Sequence, residues 1–235
     1  MFLSIVIPAY NEEERIGNTL QKIHSYLNAG GHQYEVIVVD DGSQDRTEDV
    51  VLKSTLNQTG ILRLVKNESN RGKGFSVKRG ILASKGEYLL ISDADLSTPI
   101  EELDKLYTQA KEGYEFIIGS RSTIGSDVRI HQPWYRELMG KIFNLLVRIF
   151  VINEFNDTQC GFKLLKGELA RDIAFVMKLD GFSFDVEMLY LAKKRGKRIK
   201  EAGVIWNNSP QSRVSVVDSS FHMFLDLLRI KALHK

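Results

Sequence analysis

The first half of the chain alternates short, almost wholly apolar runs with helical patterns, and that alternation leaves very few folds open. Apolar runs occur at residues 3–8, 35–40, 62–65, 88–92 and 116–119. Each is bounded by polar or glycine-containing segments, as buried strands are. Between them apolar residues recur at helical spacing. Ile16, Leu20, Ile23 and Leu27 follow the first run, after Asn11 and Glu12 open the helix. Val77, Ile81 and Leu82 follow the third, and Leu103, Leu106 and Ala110 the fourth. A helix over residues 45–56 is expected after the second. Strands apolar on both faces and joined by helices argue an α/β fold, with a mostly parallel sheet covered on both sides and right-handed crossovers.

In such a sheet the C-terminal strand tips open on one crevice, where ligands bind. The tips here carry Pro8-Ala9-Tyr10-Asn11-Glu12, Asp40-Asp41, Arg71-Gly72-Lys73, Asp93-Ala94-Asp95 and Ser120-Arg121. Turn chemistry explains one polar tip, but five in a row point to a ligand site. Asp93 and Asp95 have two readings. Paired carboxylates suit a hard divalent cation that also holds phosphate oxygens. Alternatively they form a capped strand-to-helix loop ahead of Pro99. Asp40 either accepts a hydrogen bond from a nucleobase N–H or starts the Asp-Gly turn. Lys73, between two glycines, either faces a ligand or is a solvated residue at a helix start, and it lacks P-loop spacing. Tyr10 suits stacking on a base and equally an ordinary half-buried position. No G-x-G-x-x-G follows the first strand, which disfavours a dinucleotide-binding domain.

The second half differs. Stepping ~100° per residue through positions 134–151 places Trp134, Tyr135, Leu138, Met139, Ile142, Phe143, Leu146, Ile149 and Phe150 in one half-turn. Arg136, Glu137, Lys141, Asn144 and Arg148 fall opposite. Residues 157–165 read as a loop entering a short strand, 184–194 as a helix, 198–206 as a strand and 221–233 as a second largely apolar helix. Amphipathic helices of this kind lie in a membrane interface, or pack on each other or across a homodimer. The expected organisation is one domain over 1–213, including an interfacial helix at 134–152, and a C-terminal helix at 214–235. The 235 residues carry a net charge of +2, which gives no bias toward nucleic acid. A single cysteine, Cys160, excludes an internal disulfide. No signal peptide is read at the start and no apolar run reaches the ~18 residues of a spanning helix, so any membrane contact is expected to be peripheral.

Val6-Ile7-Pro8-Ala9-Tyr10-Asn11-Glu12-Glu13, Val38-Val39-Asp40-Asp41-Gly42-Ser43 and Asp93-Ala94-Asp95 together resemble the family 2 inverting nucleotide-sugar glycosyltransferases of the A-type fold. Arg71-Gly72-Lys73-Gly74, Gly119-Ser120-Arg121 and the stretch from Asp157 to Lys163 narrow the resemblance to polyprenyl-phosphate (dolichyl-type) glycosyltransferases, most of all their glucosyl-transferring branch. It runs from Ser4 to about Arg213. The mannosyl-transferring branch usually has Ser-Gly-Phe-Arg where this chain has Cys160-Gly161-Phe162-Lys163, which favours UDP-glucose and leaves GDP-mannose as the next donor.

The resemblance implies a nucleotide-diphospho-sugar transferase fold, Mg²⁺ or Mn²⁺, a nucleotide-sugar donor, a polyprenyl phosphate acceptor and the cytoplasmic face of a membrane. It implies that Pro8, Ala9, Tyr10, Glu12 and Asp40 border the nucleotide, that Lys73, Ala94, Gln159 and Lys163 line the donor pocket, and that Asp93 and Asp95 hold the metal. Arg121, Arg136 and Arg213 match arginines placed around phosphates, a role that suits the planar guanidinium fork. Asp157 is either a base or, as expected here, a structural or donor-orienting residue, and Glu187, in Phe184-Asp185-Val186-Glu187, is a further candidate at the same site. A polyprenyl phosphate has a second pKa of about 6 and is largely a dianion at neutral pH, so it needs cations rather than a base. The alternative from another class is a nucleotide-sugar-binding module without catalysis, against which the intact Asp93/Asp95 pair and the arginines argue.

Overall fold

The computed structural model describes residues 2–209 and 216–235, with side chains in the last segment from 222 onward. In chain order the elements are β1 (Phe2–Ala9), α1 (Ile16–Ala29), β2 (Gln33–Asp40), α2 (Thr47–Leu52), α3 (Thr55–Gln58), β3 (Leu62–Lys66), α4 (Lys73–Ala83), β4 (Tyr88–Ile91), α5 (Leu103–Lys111), β5 (Phe116–Ser120), β6 (Asp127–Ile130), α6 (Trp134–Phe150), β7 (Lys163–Lys166), α7 (Gly167–Val176), α8 (Phe184–Lys194), β8 (Ile199–Gly203), β9 (Ile205–Asn207) and α9 (Val216–Leu233).

The main sheet has the order β3-β2-β1-β4-β7-β5-β8. Only β7 runs antiparallel to its neighbours. The tips of β1 to β5 therefore share one edge. Alternate residues of each central strand feed opposite faces. Ile5, Ile7, Val36, Val38 and Leu90 pack with α1 and α5, and Val6, Ile37, Val39, Leu89 and Ile91 pack with α4, α7 and α8. This explains why the runs are apolar throughout.

Several expectations need correction. The helix over 45–56 is two short helices, because the Ser54 side chain accepts the Asn57 N–H and starts a new one. The first helix begins at Ile16 rather than beside Asn11, which instead takes a positive φ of 54°. That geometry, tolerable for asparagine, lets its N–H reach Ser43 Oγ and its Oδ1 accept the Gln44 N–H. Leu82 faces outward, 47 % exposed. The strand read over 198–206 divides at Val204, where the chain leaves β5 and β9 pairs with β6 in a separate two-stranded sheet. β6 and α7 were not read from the sequence.

α6 and α9 pack together over a third apolar cluster, in which Phe143 and Val147 meet Met223, Leu227 and Ile230. The anchor beneath them is Glu187, fully buried, whose carboxylate accepts the Lys178 and Leu179 N–H groups and pairs with His234 at 2.6 Å. The sequence had placed Glu187 near the ligand site; its oxygens instead hold backbone. Replacing Glu187 with Ala strands both amides, so urea unfolding should show a loss of roughly 2–4 kcal/mol.

Candidate active site

Two crevices open at the strand tips and share a wall. The first, about 410 Å³, is lined by Pro8, Ala9, Tyr10, Glu12, Lys73, Asp93, Ala94 and Asp95, with Arg15 and Asp41. The second, about 300 Å³, includes Arg121, Arg136, Gln159, Phe143 of α6 and Trp206. Lys73, Asp93, Asp95 and Phe182 belong to both.

The loop after β3 is held by Asp41. Its Oδ1 accepts the Arg71 N–H and the Asn67 side-chain amide, and its Oδ2 accepts the Gly72 N–H. Gly72 has φ 106°, and a Cβ there would press on the Asp180 carbonyl, so the tight entry to α4 requires glycine. Lys73 is thereby aimed at Asp93, with Nζ–Oδ1 2.6 Å. Burial alone would lower the lysine pKa and raise that of Asp93; their mutual attraction outweighs it and keeps both charged. Gly161 presses on Asp93 from the other side, where a Cβ would overlap the carboxylate.

Asp95 lies between two partners. Its Oδ1 accepts the Ser97 N–H at 2.9 Å, and its Oδ2 lies 3.4 Å from Arg15 Nη1. The next residue, Leu96, takes φ 47°. A leucine in that region costs about 1–3 kcal/mol, so strain sits directly beside the carboxylate pair.

Arg121 grips Asp157 through Nε at 2.7 Å and Nη2 at 2.8 Å, and its own N–H adds a third bond to the same carboxylate. Asp157 is 1 % exposed. Burial pushes its pKa up, but the charge and hydrogen bonds of Arg121 outweigh this and hold it below the usual carboxylate range. Arg136 stands at the start of α6, and its Nε is buried without a hydrogen-bond partner among the described residues.

Three residues differ from the donor-pocket reading, and the first of them, Gln159, lines the second crevice and not the first. Asp40 is buried behind the first crevice, where its Oδ1 accepts the Ser43 N–H, so it serves the turn. Lys163 is fully buried, because β7 inserts between β4 and β5 and carries it into the sheet. There it pairs with Asp185 at 2.5 Å and donates to the Cys160 carbonyl, and its charge helps to lower the Asp93 pKa from below the crevice. Arg213 lies outside the described residues. Arg15, Asp41 and Trp206 were missed. Arg15 looked like an ordinary first-turn residue, and Asp41 like part of a turn. Trp206, whose ring lies 5.4 Å from the Arg121 guanidinium, comes from a distant strand that no local pattern connects to this site.

The carboxylates of Asp93 and Asp95 supply hard oxygen ligands, and no group of three or more metal-ligating side chains occurs among the described residues. Two carboxylates without a third fit an ion that completes its shell with phosphate oxygens and water. Lys73 and Arg15 hold positive charge on the same oxygens.

Residues 4–173 match the Glycosyl transferase family 2 profile. The chain is 36 % identical to the dolichyl-phosphate β-glucosyltransferase of Dictyostelium discoideum, over 98 % of this chain and 74 % of that protein. It is 34 % identical to the human protein of that name, over 97 % and 74 %. Among solved structures, glucosyl-3-phosphoglycerate synthase from Mycobacterium tuberculosis, in complex with Mn²⁺, UDP-glucose and phosphoglyceric acid, superposes with TM-score 0.70 at 20 % identity, covering 100 % of this chain and 81 % of that one. Mannosyl-3-phosphoglycerate synthase from Rubrobacter xylanophilus gives TM-score 0.69 at 21 % identity, over 99 % and 73 %. The fold is the A-type nucleotide-diphospho-sugar transferase fold.

The buried Arg121–Asp157 pair has a measurable signature. Asp157 has a depressed folded-state pKa, so its stabilisation is complete above the unfolded value of about 3.9 and is lost as pH falls through the folded value. Arg121→Gln leaves a buried, uncompensated carboxylate and should lose roughly 3–5 kcal/mol at pH 7. With its cation gone, burial holds the Asp157 pKa up. Urea titrations should therefore show the variant gaining stability from pH 7 to 5, where the wild-type contribution of this residue is flat.

Proposed function

The chain belongs to glycosyl transferase family 2, and we propose that it transfers glucose from UDP-glucose to a dolichyl-type polyprenyl phosphate, with inversion and with a divalent metal. The observation that carries this reading is the shared wall: two crevices, each with its own cations, meet at Lys73, Asp93 and Asp95. The names of the relatives support the sugar and the acceptor class.

In this reading the first crevice holds the nucleotide and diphosphate, and the second holds the acceptor phosphate. Tyr10 and Pro8 border the nucleotide, and Lys73 faces the diphosphate. Bound at Asp93 and Asp95, Mg²⁺ or Mn²⁺ would neutralise charge on the leaving diphosphate. Arg121 and Arg136 hold the acceptor phosphate in line with the anomeric carbon, on the side away from the diphosphate. A phosphate oxygen bonds to that carbon while its bond to the diphosphate oxygen breaks, and the diphosphate leaves with the electron pair. One displacement from opposite sides inverts the centre. No proton has to be removed from the acceptor, and the site is built accordingly. Asp157 is locked by Arg121, and Asp93 is held charged by Lys73, so neither is tuned toward neutral pH as a general base would be.

A lipid-linked acceptor also gives a purpose to the uncovered side of α6. Trp134, Leu138, Ile142, Leu145 and Ile149 are 76, 48, 50, 55 and 62 % exposed and share an arc of ~100°. Among the described residues no helix is long and apolar enough to cross a membrane. The strip adjoins the helix face that lines the second crevice, and we assign it to the membrane interface, with Lys141 and Arg148 at its border.

The decisive assay incubates the purified protein with Mn²⁺ or Mg²⁺, labelled UDP-glucose or GDP-mannose, and dolichyl phosphate. A β-linked glucosyl lipid from UDP-glucose is expected, and no lipid product with either donor, beside an active control enzyme, would overturn the proposal. Arg136→Gln should raise the KM for the lipid phosphate on the order of ten-fold or more while leaving nucleotide binding unchanged. Asp93→Asn should abolish metal-dependent transfer and spare lipid binding. Glutamate at Leu138 and Ile142 should release the folded protein from lipid vesicles, each side chain removing about 1–3 kcal/mol of apolar burial.

A further inference from the structure

Arg15 is the residue in the first crevice that the transfer reaction leaves without a task. It precedes α1 and is only 16 % exposed, and its guanidinium meets three elements. Nε and Nη2 bind the Glu12 carboxylate at 2.7 and 2.6 Å, Nη1 donates to Ser209 Oγ at 2.9 Å, and the same Nη1 lies 3.4 Å from Asp95 Oδ2. The bonds to Glu12 and Ser209 are of ordinary length, whereas the contact with Asp95 lies beyond the usual range of about 2.7–3.2 Å. Asp95 therefore carries a cation that is held elsewhere and only leans on it.

The far end of this contact matters as much. Ser209 and Asn208 line the second crevice. Two residues earlier, the Asn207 N–H donates to the Ser97 carbonyl at 2.8 Å, and Ser97 is the residue whose own N–H caps Asp95 Oδ1. The segment 207–209 is thus tied to the Asp95 turn twice, once through Ser97 and once through Arg15.

We propose that Arg15 is a metal-responsive positioning residue that couples loading of the carboxylate pair to the edge of the second crevice. The inference rests on the reading of Asp93 and Asp95 as the metal site. A divalent ion and a guanidinium cannot share Asp95 Oδ2, since like charges at that distance repel. Occupation of the pair pushes Arg15 off Asp95, and the guanidinium, held bidentately by Glu12, swings its Nη1 away from Ser209. The 207–209 segment then loses its side-chain tie and keeps its backbone bonds, Asn207 N–H to Ser97 and Asn208 N–H to Ile130. In this way the state of the donor side is felt where the acceptor phosphate enters. By linkage, whatever holds Ser209 in its Arg15-bound place weakens the metal by the same factor.

The test measures Mn²⁺ binding without nucleotide by electron paramagnetic resonance, and amide exchange of a peptide covering 205–209 with and without Mn²⁺. In the wild type Mn²⁺ should speed exchange at Asn207 and Asn208, whose amides bond the Ser97 and Ile130 carbonyls. Arg15→Ala should bind Mn²⁺ about two- to five-fold more tightly, the range expected for release of a weak, partly solvated ion pair, and should exchange fast in that segment with or without metal. Arg15→Lys keeps the charge and loses the bridge. It should restore wild-type Mn²⁺ affinity and retain the fast, metal-insensitive exchange, a split that loss of folding does not produce. Equal or weaker Mn²⁺ binding by Arg15→Ala, or metal-insensitive exchange in the wild type, would overturn the coupling and leave the metal site standing. Absence of Mn²⁺ binding to the wild type would remove both.

Discussion

Charge brought to the ends of buried strands has to be paired, and the site follows from how this chain pairs it. Asp93 lies just beyond the apolar strand β4, and Lys73 is the first of the cations that keep its carboxylate charged there. Lys73 reaches it only because Asp41 folds the 70–72 loop under its own carboxylate and Gly72 lets α4 start against the Asp180 carbonyl. Beyond β7, at the tip of β5, the Arg121–Asp157 pair repeats the solution, and Lys163 on β7 pairs with Asp185. The pairs also act on one another, since Lys163 and Arg121 add to the influence of Lys73 on Asp93. The tips are therefore fixed relative to one another by electrostatics as much as by the sheet.

α6 illustrates how one amphipathic pattern can serve two surfaces. Its apolar half-turn divides along its length. Phe143, Leu146, Val147 and Phe150 turn toward α9, with Phe150 and Phe224 edge to face at 6.2 Å. Trp134, Leu138, Ile142, Leu145 and Ile149 remain uncovered. Of the readings left open by the sequence, packing against the second apolar helix holds on one side of α6, and the other side is left uncovered. Leu145 was not in the apolar set read from the sequence, and it completes the uncovered strip.

The parallel core was legible because β1, β2 and β4 are buried on both faces, which removes polar residues from the strands themselves. The five tips were legible for the same reason: polar residues clustered where each apolar run ended. What escaped was everything set by partners far apart in sequence. β7 carries a motif that reads as pocket-lining, yet pairing between β4 and β5 takes Lys163 into the sheet. Glu187 reads as a candidate for the ligand site, but its oxygens hold two backbone amides and His234. Asp40 and Asp41 are adjacent and alike; only the position of the 70–72 loop makes the second the one that faces the crevice. Local chemistry named the right tips and could not rank the residues on them.

The crevices are not simply basic. Arg15 is bound to Glu12, Lys73 to Asp93 and Arg121 to Asp157, so each of these cations already has a carboxylate. In the proposed reading such a site binds phosphates by exchanging partners rather than by net charge. The cost of each exchange depends on how good the resident bond is. The triply bonded Arg121–Asp157 contact should stay intact and offer its remaining guanidinium edge, while the 3.4 Å contact of Arg15 with Asp95 is the one that yields. Arg136 stands apart. Its buried Nε has no hydrogen-bond partner among the described residues, at a cost of about 1–3 kcal/mol. In the proposed reading a phosphate oxygen that reaches this nitrogen displaces no resident bond, which sets Arg136 apart from the three paired cations.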